Sequence, residues 1–220
     1  MLALDPARSG EAEAMTDLLL TLVATTAPMT AAFKARFAPW AQVRTELGRW
    51  ESLSDHDCFV TAGNSYGIMS AGIDAAVVNR FGASVQDAVQ LRIMNEFLGE
   101  QPVGTAFLVP TGHAGVPLLC HAPTMRVPGD ISLTDNVYRA TRAALLAIHR
   151  HNRDAERPIR TVVFPAFGTG FGGVAPDEAA RQMAVAWKLF LEPPYPPNWD
   201  RIVQREKLIC WEGDERRVRS

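Results

Sequence analysis

Apolar residues recur along this chain as short unbroken runs that alternate with stretches of helical periodicity. Leu18–Val23 is a continuous apolar run of strand length, Cys58–Thr61 a second, and Thr161–Phe164 a third rich in β-branched residues. Thr105–Val109 and Val116–Ala122 add two more, joined by Thr111-Gly112-His113-Ala114-Gly115, a hairpin-like composition. Val43–Glu46 has the length of an edge strand. Between these runs the spacing changes to that of helices. Ile73–Phe81 predicts a helix closed by Gly82, and Ser84 predicts the cap of another, with Val85, Val89, Ile93 and Phe97 at i+4 spacing down to Gly99. Thr134–Arg150 carries Val137, Ala140, Ala144 and Ile148 on one face. Thr30 is placed to cap a short helix over Ala31–Phe37, and Pro176-Asp177-Glu178 opens a further one with proline near N1 and acids in the first turn. A last helix is expected over Arg201–Cys210. Fully apolar strands alternating with amphipathic helices predict an α/β fold with a mostly parallel sheet covered on both faces.

Composition narrows this only a little. The chain has 220 residues, 47% of them hydrophobic and 21% charged, which suits one globular domain with extensions. Residues 1–16 read as a loose polar arm and 17–192 as the domain. Residues 193–220 read as the stiff Pro193-Pro194-Tyr195-Pro196-Pro197 linker, a helix and a charged tail packing on that same domain. A net charge of -2 argues against a dedicated nucleic-acid surface or a membrane-surface protein. Cys58, Cys120 and Cys210 have no C-x-x-C spacing; Cys58 and Cys120, within apolar runs, read as small core residues of a reducing compartment, with no metal site and no cofactor expected. Asp5, Arg8, Glu11 and Glu13 do not fit a signal peptide and no apolar run spans a membrane, so a cytoplasmic location is expected.

The candidate chemistry lies in two loops, each directly after an apolar strand. The first is Gly63-Asn64-Ser65-Tyr66-Gly67-Ile68-Met69-Ser70-Ala71-Gly72 and the second Gly168-Thr169-Gly170-Phe171-Gly172-Gly173. Glycine lets main-chain N–H groups turn toward a ligand, and a helix that opens from such a loop adds unpaired N–H groups suited to anions. In parallel sheets both loops leave carboxyl ends of strands, where ligands bind, so two of them suggest a ligand with two linked phosphates. Gly168–Gly173 also matches G-x-G-x-x-G, but a proline linker follows where a dinucleotide fold needs further strands. Gly63–Gly67 matches G-x-S-x-G, which keeps a serine hydrolase built on Ser65 as the outsider; no histidine follows residue 151 to complete a triad of that order. No P-loop signature is present. His113 and His121 read as satisfied structural histidines, and the scattered tryptophans read as core. Asp74 is either a first-turn acid favoured by the helix dipole or a carboxylate beside a bound sugar, able to orient water. Asn64 either closes a turn through its side chain or holds a ribose hydroxyl.

At these residues the chain resembles the macrodomain family, which binds ADP-ribose. The family's Asn-Ala-Ala-Asn-like segment, glycine-rich loop and Val-Asp helix start look like Thr61-Ala62-Gly63-Asn64, then Gly67–Gly72, then Ile73-Asp74. Its second phosphate loop looks like Gly168–Gly173. The resemblance covers roughly residues 17–192 and implies a three-layer α/β/α sandwich with a mixed, mostly parallel central sheet. It implies ADP-ribose or an ADP-ribosylated macromolecule as partner and glycohydrolase-type removal of ADP-ribosyl groups. A non-catalytic ADP-ribose reader and an ADP-ribose 1''-phosphate phosphatase remain alternatives. By this similarity Asn64 holds the distal ribose, Gly63 is among the residues that bind ADP-ribose, and Ser70, Ala71, Gly72 and Ile73 wrap one phosphate. Gly168, Thr169, Gly170 and Gly172 wrap the other, Phe171 presses on the distal ribose, and Asp74 directs water. The chain departs from the family pattern at four places. Met69-Ser70-Ala71 replaces consecutive glycines, Val78 a histidine of some hydrolases, Gly172 a catalytic aspartate of another branch, and Ala24-Thr25-Thr26 the Gly-Asp pair that reads adenine.

Overall fold

The computed structural model describes residues 17–220, and the arm expected over 1–16 lies outside the described residues. Strands β1 (Leu19–Ala24), β2 (Val43–Leu47), β3 (Cys58–Thr61), β4 (Phe107–His113), β5 (Val116–His121) and β6 (Thr161–Pro165) form one sheet in the order β2-β1-β6-β3-β5-β4. Every pairing is parallel except the β4–β5 hairpin, so the sheet is mixed and mostly parallel. Alternation along the strands sends side chains to two cores, as the period of two requires. Leu20, Leu22, Cys58, Val60, Val162 and Phe164 face a core completed by helices α1 (Ala27–Phe37), α4 (Asn136–Asp154) and α5 (Pro176–Leu191). Val23, Phe59, Val163 and Leu119 face the other, covered by α2 (Gly72–Phe81), α3 (Ser84–Phe97) and a 3-10 turn at Trp50–Ser52. The result is the three-layer α/β/α arrangement. Trp187, Phe33, Phe59 and Phe164 are among the largest fully buried side chains, each ring worth about 1.5–3 kcal/mol over exposure.

Helix boundaries differ from the sequence expectation where a local signal was ambiguous. Thr30 does not cap α1. The helix starts earlier, with extended Thr26 as N-cap and Pro28 in the first turn, and the Thr30 hydroxyl donates back to the Thr26 carbonyl at 3.1 Å. Proline's fixed φ favours that first turn. Ser84 is the first residue of α3 rather than its cap, a place taken by Ala83. Beyond the proline linker, Asn198 caps α6 (Trp199–Cys210), its Oδ1 accepting the Arg201 N–H at 3.0 Å. The charged residues after it form a small hairpin, β7 (Trp211–Glu212) with β8 (Glu215–Arg216). Val218, Ile209 and Cys210 bury a third cluster against Tyr138 of α4 and Leu189 of α5. The buried Glu178–Arg181 pair supports this contact, since Arg181 Nη2 also donates to the Ile209 carbonyl at 2.8 Å. No helix among the described residues is long and apolar enough to cross a membrane.

Candidate binding cleft

Adjacent parallel strands β3 and β6 pair only at Cys58–Val162 and Phe59–Val163. Past that point β3 continues with β5 through Thr61–His121, while β6 continues with β1 through Val23–Pro165. The sheet forks there, and both glycine loops leave from the two sides of the fork. Between them lies a cavity of about 480 Å³. Its lining includes Gly63, Asn64 and Ser70–Asp74 from the first loop and the start of α2, and Gly168–Gly172 from the second, so the residues singled out for ADP-ribose binding and hydrolysis reach one cleft. Ser65 does not line it. That serine is 2% exposed, and its hydroxyl lies 3.5 Å from the Met125 carbonyl with no histidine partner among the described residues.

The first loop ends at the N-terminus of α2, which has no side-chain cap. Among the described residues, the main-chain N–H groups of Ser70, Ala71 and Gly72 find no acceptor, and neither do those of Thr169, Gly170, Phe171 and Gly172. Two rows of free donors at one cleft, one at a helix start, suit an anion. Side-chain cations contribute little. Arg49 is the lone cation among the described residues of the lining, and it pairs with Glu51 at 2.7 Å. Sterics explain the glycines of the second loop. Gly168 holds φ +72, and a Cβ there would meet Val137 at 2.7 Å; one on Gly172 would meet the Gly168 carbonyl at 2.5 Å. Gly170 has open space in place of a contact.

Asp74 is 6% exposed and lines the cleft. Burial raises its carboxyl to about pH 6, against the opposing effect of the Thr61 hydroxyl, which donates to Oδ1. Oδ2 has no partner among the described residues. Asn64 adopts the turn-closing role: its Oδ1 accepts the N–H of Tyr66 at 3.1 Å and of Ile68 at 3.3 Å, and its Nδ2 donates to the Ile68 carbonyl at 2.8 Å. The second amide hydrogen of Nδ2 stays available. His121 is only half satisfied. Its Nδ1 lies 2.7 Å from Gln101 Oε1, while Nε2 is buried without a partner, and desolvation lowers its pKa to about 4. Nε2 lies beneath Gly63, where a Cβ would stand 2.4 Å away.

Several contributors were not singled out in the sequence. Gly48–Glu51 wall the cleft beyond β1 and β2, with Trp50 stacked on Phe59 at 4.1 Å, and Thr124, Met125 and Val127 wall it beyond β5. Thr61 carried a legible signal, being the polar last residue of a fully buried strand; Trp50 carried none. Among the described residues no cluster of three or more His, Cys, Asp or Glu is placed to hold a metal.

A family model described as Macro domain matches residues 60–183, just over half of the chain and a span that includes both glycine loops. An Aquifex aeolicus protein is 35% identical over 131 residues, covering 59% of this chain and 71% of that protein. An Aeropyrum pernix protein is 33% identical over 130 residues, and the match spans 62% of its length; both carry the description "Uncharacterized protein". Among solved structures, the macrodomain of Mycobacterium tuberculosis DarG is similar at a TM-score of 0.53 and 22% identity, covering 70% of this chain and 96% of that one. The Oceanobacillus iheyensis macrodomain with ADP is similar at a TM-score of 0.52 and 22% identity, covering 62% and 70%. A mutant of the same macrodomain with ADPR gives 0.53 and 21%, covering 63% and 73%.

Proposed function

We propose, on the premise that this chain belongs to the Macro domain family, that its cleft binds ADP-ribose or an ADP-ribosyl group and hydrolyses the bond attaching it. The observation that carries this reading is the convergence of two rows of free main-chain donors on one cavity, with a buried carboxylate beside them. Two structures of one similar macrodomain, one with ADP and a mutant with ADPR, support the same ligand class. In this reading the Ser70–Ile73 turn and the Gly168–Gly172 turn each hold one phosphate through N–H groups. Asn64 offers its remaining amide hydrogen to the distal ribose, and Phe171, exposed at the rim, covers that sugar.

Asp74 is the residue for the chemical step. A carboxyl that titrates near 6 is mostly ionised at neutral pH yet basic enough to take a proton, which suits a general base. Thr61 fixes Oδ1 and leaves Oδ2 for water. Oδ2 accepts a proton from the water as the water oxygen bonds to the anomeric carbon and the bond to the attached group breaks; the departing group takes its proton from solvent, and Asp74 returns its own to solvent. A reader without catalysis is the second reading, favoured by the Asn64 side chain already tied into its own turn.

Calorimetric titration with ADP-ribose tests the pocket. Micromolar binding that Gly170→Glu abolishes is expected, because the new carboxylate has room in the protein but enters the cleft beside the phosphates. No heat at millimolar ligand sinks the proposal. Release of ADP-ribose from a modified polymer, lost in Asp74→Ala with binding retained, separates hydrolase from reader, and phosphate release from the 1''-phosphate identifies a phosphatase.

A further inference from the structure

Residues 217–219 lie outside the span matched by the family model, yet they are hydrogen-bonded to the segment 133–135 that leads into α4. The Arg219 N–H donates to the Leu133 carbonyl at 2.9 Å, and the Asp135 N–H donates to the Arg219 carbonyl at 2.9 Å, forming a short parallel bridge across Thr134. Val218 anchors this strap, 2% exposed in the cluster with Tyr138, Leu189, Ile209 and Cys210. Arg217 adds a main-chain bond to the Cys210 carbonyl at 2.8 Å.

The bridge continues directly to the second glycine loop. Thr134 donates to the Ile131 carbonyl through its N–H at 3.0 Å and its hydroxyl at 2.8 Å. Ile131 in turn donates its N–H to the Gly172 carbonyl at 2.9 Å. Its side chain, 6% exposed, fills the space under the loop: a Cβ on Gly172 would meet Ile131 Cγ1 at 2.8 Å. Thus a path of main-chain bonds and one packed side chain runs from Arg219 through 133–135 and Ile131 to Gly172. Ile131 packs beneath this loop and is linked to the strap through Thr134.

We propose that residues 217–219 are positioning residues for the second glycine loop, holding Gly168–Gly172 in the conformation that presents its N–H groups to a phosphate. The inference rests on the reading of that loop as a phosphate site. Its experiment uses the full chain, comparing Val218→Asp and Arg219→Pro with wild type and with Ile159→Val, a stability control at the opposite end of β6. Proline at 219 removes the donor to Leu133 and fixes φ there, while the carbonyl that accepts from Asp135 remains. ADP-ribose affinity is read by calorimetry and amide exchange by mass spectrometry or NMR. Both strap variants should bind ADP-ribose about tenfold more weakly, within the range of couplings carried through packed networks. Their Ile131 amide should exchange faster, while Ile159→Val leaves affinity and exchange unchanged. Unaltered affinity in a folded strap variant overturns the proposal, as does a fall matched by the control. Should Val218→Asp unfold, Arg219→Pro carries the comparison. If wild type gives no heat with ADP-ribose, the ligand assignment fails separately, and a slow Ile131 amide in the freed-strap variants still overturns the coupling.

Discussion

Asp74 and His121 sit on either side of Thr61, and burial pushes their titrations in ways that oppose each other in the folded protein. Asp74 rises from 3.8 to about 6, so the folded chain binds a proton more tightly than the unfolded one. Its support for the fold is complete below about pH 4 and withdrawn as pH rises through 6, worth roughly 3 kcal/mol when fully lost. His121 falls from 6.5 to about 4, so its support is present above 6.5 and lost as pH falls through 4. Buried His56, also lowered by desolvation, acts in the same direction as His121. The two slopes offset one another across the interval from pH 4 to 6.5. Asp74→Asn removes one of them. That variant should be more stable than wild type at pH 8 by roughly 2–3 kcal/mol, converge with it near pH 4, and lose stability on acidification more steeply than wild type does. Urea denaturation at pH 4.5, 6 and 8 measures all three points, and equal stability at pH 8 would show that Asp74 carries no burden of buried charge.

Strands and loops were legible because their signals are local, and what lay between elements was not. Cys58–Thr61 and Thr161–Phe164 are apolar but for one terminal threonine each because both faces of a central strand are covered, and that alone placed the two loops at carboxyl ends. The first turn of α1 was misplaced because Thr26 and Thr30 are equally good caps by type, and only Pro28 distinguishes them. Trp50 stacks on Phe59 across a 3-10 turn, a contact no periodicity encodes. The Gly63–His121 contact is of this second kind. It joins the β3 loop to the end of β5, and it explains why glycine stands at 63: the imidazole, held by Gln101, takes the volume of a Cβ. Gly63→Ala should cost about 1–3 kcal/mol as an overpacked site. His121→Ala should also destabilise, by leaving a cavity and an unpaired Gln101. The double variant should be less destabilised than the sum by at least about 1 kcal/mol, since neighbours that share one volume couple. Additive losses in a denaturation cycle would mean that the ring moves aside freely and does not set the loop.

At the scale of the whole molecule, the cleft must attract an anionic ligand to a chain whose net charge is -2. Proteins that rely on lysine and arginine for this show binding that weakens steeply with salt, because the steering charges are exposed and screened. Here the lining offers Arg49 alone among the described residues, already neutralised by Glu51, and the remaining attraction falls to main-chain N–H groups at the fork between β3 and β6. Those dipoles act over a few ångströms inside a partly desolvated crevice, a distance shorter than the screening length at ordinary salt. The fold therefore substitutes geometry for charge, and that geometry is costly to lose: it needs α2 uncapped, Gly168 at positive φ and Ile131 seated beneath the second loop. Raising ionic strength from about 50 to about 500 mM should weaken ADP-ribose binding by less than about threefold, and Arg49→Ala should change affinity by a similarly small factor. A tenfold or steeper salt dependence in the same titrations would mean that side-chain cations, not the two turns, hold the phosphates, and the role assigned to the fork would pass to them.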